Sequence, residues 1–72
     1  MEDYKCRMIE EYKQTKERYK KLHKMLVKYD AGTLDFELSC PVGLLREQKS
    51  TMGHYLNILE IRAEIENVPL ED

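Results

Sequence analysis

Apolar residues in the first thirty positions recur at alternating gaps of four and three. The set with this spacing is Met8, Tyr12, Thr15, Tyr19, Leu22, Leu26 and Tyr29. Such a spacing places every member on one face of an α-helix and is typical of a helix that packs lengthwise against another helix. It predicts a first helix from about residue 3 to about residue 29.

A second apolar series predicts a second helix from about residue 41 to about residue 67. We expect its main stripe to face the first helix; the stripe consists of Leu45, Gln48, Met52, Tyr55, Leu56, Leu59 and Ala63. Pro41 is tolerated in the first turn of a helix, whereas Pro69 prevents continuation beyond its end. Residues 68–72 then form a short tail, which is either a docking arm or frayed.

Residues 30–40 connect the two predicted helices. Gly32 can take the left-handed conformation that ends a helix. Apolar and acidic residues alternate from Leu34 to Leu38, which predicts an extended segment or one turn that plugs the end of the helices, with Phe36 as the plug. The predicted fold is all-α, a single domain over residues 1–72 that forms an antiparallel two-helix hairpin. In this hairpin residue i faces roughly residue 70 − i.

A second stripe on the C-terminal helix lies nearly opposite the first, and a two-helix hairpin has nothing to bury it against. A chain of 72 residues gains only about 3–5 kcal/mol from one core. Cys6 and Cys40 lack the spacing of zinc ligands or of a disulfide framework, so assembly is the remaining source of stability. We therefore expect a homo-oligomeric helical bundle whose interface includes His54, Ile58, Ile61 and Ile65.

Charge divides the chain into a basic and an acidic part. Residues 1–29 hold nine Lys/Arg and five Asp/Glu, a net charge of +4, and residues 30–72 hold three and nine, a net charge of −6. This asymmetry indicates either an anion-binding helix or two antiparallel helices that attract each other. The acidic second helix and the overall charge of −2 disfavour nucleic-acid binding.

The chain start lacks the basic and apolar regions of a secretion signal, and no apolar run reaches the roughly 18 residues of a membrane span. Two free thiols suit a reducing compartment, which predicts a cytoplasmic protein. Catalysis needs a nucleophile beside a base, a metal set or paired carboxylates, and the sequence shows none of these patterns. We therefore expect no enzymatic activity, no cofactor and no bound metal.

Aromatic and basic residues are the candidates for ligand binding. The antiparallel register brings Tyr4 and Arg7 close to Arg62 at the open end of the hairpin, a combination suited to phosphate and to a base. The alternative is that Arg62 pairs with Glu11 or Glu66. The full candidate set is Tyr4, Arg7, Lys16, Lys20, Tyr55 and Arg62.

A resemblance to a known family rests on three sets of residues: Tyr4-x-x-Arg7-x-x-x-Glu11, then Leu22 and Leu26, then Leu45-x-x-Gln48-x-x-x-Met52-x-x-Tyr55-x-x-x-Leu59-x-x-Arg62. With these residues the chain resembles a family of small proteins of crAss-like and other tailed phages. That family is similar to the hairpin domain of anti-CBASS and anti-Thoeris sponge proteins. The resemblance implies a homo-oligomer, with a hexamer as one form, whose pockets between protomers hold a cyclic dinucleotide or an ADP-ribose derivative. Tyr4 and Lys16 are nearest in kind to that family's ligand-binding residues.

Two hypotheses follow. In the first, the chain is a phage-encoded sponge that binds a small anionic nucleotide signal of the host immune system at subunit interfaces, without turnover. In the second, it is an adaptor that docks on a host protein through its apolar helix face and binds no small ligand.

Overall fold

The chain forms two long α-helices joined by a short connection, in a computed structural model that describes residues 3–70. Helix α1 spans Asp3–Ala31 and helix α2 spans Val42–Glu66. They pack side by side in opposite directions, in a molecule that measures 44 × 19 × 18 Å. The predicted all-α hairpin is confirmed. The predicted domain also includes residues 1, 2, 71 and 72, which lie outside the described part.

Two contacts between the helices fix their register. The Tyr12 hydroxyl donates a hydrogen bond of 2.7 Å to the Glu60 carboxylate, and Tyr19 lies against Gly53. The residue numbers of both pairs add up to 72, close to the value of roughly 70 that the sequence suggested.

The core lies toward the open end of the hairpin. Leu56, Leu59 and Ala63 of α2 pack against Met8 and Tyr12 of α1. The tail completes this cluster with Val68 and Leu70. The buried face of α1 continues toward the connection through Thr15, Leu22 and Leu26. The buried positions of α1 all lie in the predicted series with alternating gaps of four and three, and this spacing explains why they share one face of the helix.

The same capping geometry ends both helices. Gly32 has a φ of +77°, and N–H groups of Gly32 and Thr33 donate to the carbonyls of Tyr29 and Lys28 at 3.1 and 2.9 Å. These two bonds are those of a Schellman motif, which satisfies carbonyls that the last turn leaves unpaired.

At the end of α2, Asn67 takes the left-handed conformation with a φ of 57°. The Val68 N–H donates to the Ala63 carbonyl at 2.9 Å. This turn reverses the chain and returns Val68 and Leu70 to the core, where they are 6% and 9% exposed. The sequence did not decide between a docking arm and a frayed tail. Residues 68–70 dock on the chain's own hairpin. Residues 71–72 lie outside the described part.

Phe36 is not a core plug, and that prediction is wrong. Its side chain is 55% exposed and lies at the surface beside Met25 and Lys28. The chain bends at Phe36, and the bend breaks the alternation on which the prediction rested. Leu34 and Leu38 are half-buried instead.

The predicted inner stripe of α2 was too wide. Gln48 and Tyr55 are exposed, whereas Leu56, Leu59 and Ala63 are buried. An α-helix turns 100° per residue, so a series with a repeat of seven drifts sideways along the helix. Gln48 and Tyr55 therefore lie at the border of the contact face and not inside it.

Candidate functional site

The line of contact between the helices leaves two flanks on the surface of the hairpin. We call the side that carries the Tyr12–Glu60 and Asp30–Arg46 contacts the Glu60 flank. Arg62 is two residues beyond Glu60 and points about 200° away from it. We call the side of Arg62 the Arg62 flank.

The predicted open-end cluster lies on the Arg62 flank. Arg62 Nε donates to the Glu66 carboxylate at 3.3 Å, so the structure shows one of the two pairings that the sequence offered as an alternative. The other carboxylate, Glu11, accepts a hydrogen bond of 3.0 Å from the Thr15 hydroxyl. Tyr4 is 46% exposed and Arg7 is exposed. Both remain candidates for a ligand that reaches this surface.

Lys16 and Lys20 do not share that surface. Lys16 comes nine residues after Arg7, which places the two side chains about 180° apart on α1. The Lys16 ammonium lies 5.3 Å from the centre of the Tyr12 ring, on the Glu60 flank, and Lys20 follows one turn later and is exposed. The six candidate residues therefore divide between two flanks, with Tyr55 at the border of the inner stripe.

Two grooves follow the Glu60 flank, and their charges differ. The groove nearer the tail has a volume of about 420 Å³; it is lined by Tyr12, Lys16, Glu60, Ala63, Glu64, Val68 and Leu70. Its two carboxylates outnumber its single lysine, which disfavours an anionic ligand. Burial, and then the hydrogen bond to Glu60, raise the pKa of the Tyr12 hydroxyl above its usual value of 10.0. This groove belongs to the packing of the tail.

The second groove combines cations with an aromatic ring. It has a volume of about 370 Å³ and is lined by Tyr19, Leu26, Arg46, Lys49, Ser50 and Gly53; we call it the Tyr19 groove. The Lys49 ammonium lies 5.8 Å from the centre of the Tyr19 ring. Two basic side chains and one hydroxyl donor thus meet an aromatic surface, a combination suited to a phosphate attached to a planar ring.

A second aromatic ring extends this surface. The rings of Tyr19 and His23 are nearly parallel, at an interplanar angle of 4°, with their centres 6.5 Å apart. Tyr19 and His23 lie on consecutive turns of one face of α1, since residues four apart are neighbours on a helix. His23 is exposed, so its ring is open to a planar ligand.

Gly53 allows the helices to approach at this groove. A Cβ atom at this position would lie 3.3 Å from Cε2 of Tyr19. The missing side chain therefore leaves room for the Tyr19 ring between the helices. Gly43 has open space around it.

An ion pair anchors the groove at the closed end of the hairpin. Arg46 binds Asp30 through both terminal nitrogens, and one of these bonds measures 3.2 Å. The Arg46 guanidinium holds the pKa of the Asp30 carboxyl below its usual value of 3.8, and the positive charge of Lys49 acts in the same direction. The pair orients Arg46 while leaving its outer edge at the surface, since both side chains are about half exposed.

Replacing Arg46 by glutamine should raise the pKa of Asp30 toward 3.8, because the largest cause of its depression is then gone. Carboxyl carbon shifts followed by NMR through an acid titration measure this pKa. The variant Arg18→Gln is the control, since it removes one arginine elsewhere on α1. An unchanged Asp30 pKa in Arg46→Gln would show that the ion pair is not formed in solution.

Sequence reasoning did not single out Arg46, Lys49 or Ser50. Their position beside Tyr19 depends on the register of the two helices and on the rotation of α2, neither of which a single stripe determines. The available signal was the pairing of Gly53 with Tyr19, since a small residue opposite a ring marks a close crossing.

Among residues 3–70, no group of three or more His, Cys, Asp or Glu is placed so that it could hold a metal ion. Over the same residues neither helix has the length and apolar character to cross a membrane.

Comparison with known proteins places the chain in a family. The family model described as Sequestin matches residues 2–65, which is most of the chain and includes all of α1 and nearly all of α2. No curated protein and no solved structure shows a significant match.

Proposed function

Because the chain belongs to the Sequestin family, we propose that it is a non-enzymatic sponge that sequesters a small anionic signal of nucleotide type. The family name is consistent with sequestering a molecule. The proposed ligand is a cyclic oligonucleotide or an ADP-ribose derivative of a host immune pathway, and the proposed setting is the cytoplasm of a phage-infected cell. Binding alone suppresses such a signal, so no turnover is needed.

The Tyr19 groove is the observation that supports this proposal. Lys49 supplies a positive charge, Arg46 a half-exposed guanidinium that is also paired with Asp30, and Ser50 a hydroxyl, while Tyr19 and His23 supply ring surfaces. Guanidinium and ammonium groups form charge-assisted hydrogen bonds with phosphate oxygens, and aromatic rings stack on bases without regard to base identity. A nucleotide carries both complementary parts on one molecule.

The size of the groove suggests how much of a ligand one chain holds. Its volume of about 370 Å³ is at the lower end of the roughly 300–1,000 Å³ of small-molecule sites. One phosphate and one ring fit such a volume, so the rest of a cyclic oligonucleotide would extend beyond it. This agrees with the expectation that a second subunit contributes to binding, for which Tyr4, Arg7 and Arg62 remain candidates.

Lys49→Glu tests the groove. Losing a charge-assisted hydrogen bond costs about 1.5–3 kcal/mol, so this variant should bind the ligand at least about tenfold more weakly. Lys13→Glu is the matched control, because it makes the same change at an exposed position of α1 away from the groove. Calorimetric titration with the ligand that the wild type binds best measures both affinities.

Arg62→Ala, measured beside Lys49→Glu, locates the ligand. Weaker binding in Lys49→Glu alone assigns it to the Tyr19 groove, and weaker binding in both variants assigns it to a site that spans both flanks. Loss of binding in Arg62→Ala with an unchanged affinity in Lys49→Glu would exclude the groove in favour of the open end.

A further inference from the structure

One face of α2 is apolar and uncovered. Ile58, Ile61 and Ile65 are 40%, 52% and 74% exposed, and His54 is exposed in line with them. The gaps between these four residues are four, three and four, and the face lies opposite the buried side of the same helix. Such spacing forms a straight seam along which a second helix packs side chains into the gaps of the first.

We infer that a second copy of this chain covers the seam, with the two α2 helices antiparallel about a twofold axis between residues 59 and 60. The seam is complementary to itself in this arrangement. Ile58 packs on the partner's Ile61, and by symmetry Ile61 on the partner's Ile58, so the centre is built from isoleucine alone. His54 covers the partner's Ile65 at each end, where the isoleucine is most exposed.

The residues that border the seam favour the antiparallel direction. In this register Arg62 comes beside the partner's Tyr55, and an arginine over a tyrosine ring forms a cation–π contact. On the other border Asn57 comes beside the partner's Glu64, where its amide can donate to the carboxylate. Both Tyr55 and Arg62 are exposed in the single chain, where Arg62 also donates to Glu66 of its own helix.

The helix dipoles also favour that direction. An antiparallel pair opposes the dipoles of the two α2 helices, whereas a parallel pair would align them and set His54 against its own copy.

The size of the seam sets the expected strength. It occupies about three turns of one helix, so the area that each partner buries is smaller than the roughly 800 Å² of a standard interface. We therefore expect a dimer that dissociates on dilution. The seam lies on the outer face of α2 and the Tyr19 groove on a flank, so this inference does not depend on a ligand in that groove.

The oligomeric state tests the pairing. Sedimentation velocity over a dilution series should show a monomer–dimer equilibrium, or a larger assembly built on the dimer, for the wild type and for Val27→Lys. Val27 is the matched control because it is a branched apolar residue of α1 that is 50% exposed. Ile61→Lys should require at least about tenfold higher concentration to associate, with its helical circular dichroism retained. A wild type that stays monomeric throughout would overturn the inference.

Cysteine crosslinking tests the direction, and it also applies if Ile61→Lys loses its helical signal. In a Cys6→Ser/Cys40→Ser background, with oxidised glutathione as the two-electron oxidant, a mixture of His54→Cys and Ile65→Cys chains should form a heterodimeric disulfide, while neither chain alone should crosslink. Efficient crosslinking of Ile65→Cys with itself would show a parallel pair and overturn the inference. Loss of ligand binding without loss of these crosslinks would count against the proposed function only.

Discussion

Leu59→Ala is expected to leave most of the chain unfolded at 25 °C. Leu59 is 3% exposed at the centre of the core cluster. Truncating a buried leucine costs about 2–5 kcal/mol, and a single core in a chain of this length supplies only about 3–5 kcal/mol. The whole stability of the hairpin is therefore comparable to the cost of this one cavity.

Urea denaturation followed by circular dichroism measures the effect. Leu44→Ala is the matched control, since the same atoms are removed from a residue of α2 that is 56% exposed. Its midpoint should stay close to that of the wild type, because truncating an exposed side chain changes stability by about 0.5 kcal/mol or less. Equal midpoints for the two variants would contradict the burial pattern described above.

Removing both apolar side chains of the tail, with Val68→Ala/Leu70→Ala, should cost about 2–4 kcal/mol. These side chains close the core against Met8 and Tyr12, and no covalent link holds them there. The double variant should also bring the pKa of Tyr12 back toward 10.0, because the largest cause of its rise is burial. Because the chain has five tyrosines, the ring Cζ chemical shift of Tyr12, followed by NMR through an alkaline titration, measures this pKa.

The sign of the pH effect follows from the same shift. Folding raises the pKa of Tyr12 above its unfolded value, so the folded chain retains the proton longer than the unfolded one. This contribution to stability is fully present below pH 10 and is lost as the pH rises through the folded pKa. The tail variant should lose less stability over that alkaline range than the wild type does. An equal loss in both would show that the tail does not bury Tyr12.

Most of the fold could be predicted from the sequence because two long helices leave a strong periodic signal. Met8, Tyr12, Leu22 and Leu26 were assigned to the inner face by spacing alone and are buried. Where the signal is short, prediction failed. The alternation around Phe36 covers five residues, and one bend of the backbone was enough to turn that side chain to the surface.

The tail and the site needed three-dimensional information. Val68 and Leu70 return to the core because Asn67 takes a left-handed conformation, and asparagine adopts that conformation less regularly than glycine. The separation of Arg7 from Lys16 follows from helix rotation and was accessible from the sequence. The meeting of Tyr19 with Lys49 was not, since it depends on how α2 is rotated against α1.

Native mass spectrometry tests the central claim that the chain captures an intact nucleotide-type signal. The purified protein is measured alone and after incubation with cyclic dinucleotides, cyclic trinucleotides and cyclic ADP-ribose isomers. We expect a defined assembly that gains the unaltered mass of at least one ligand, and less of it in Lys49→Glu. An assembly that takes up none of these molecules would contradict the account and favour an adaptor that binds another protein.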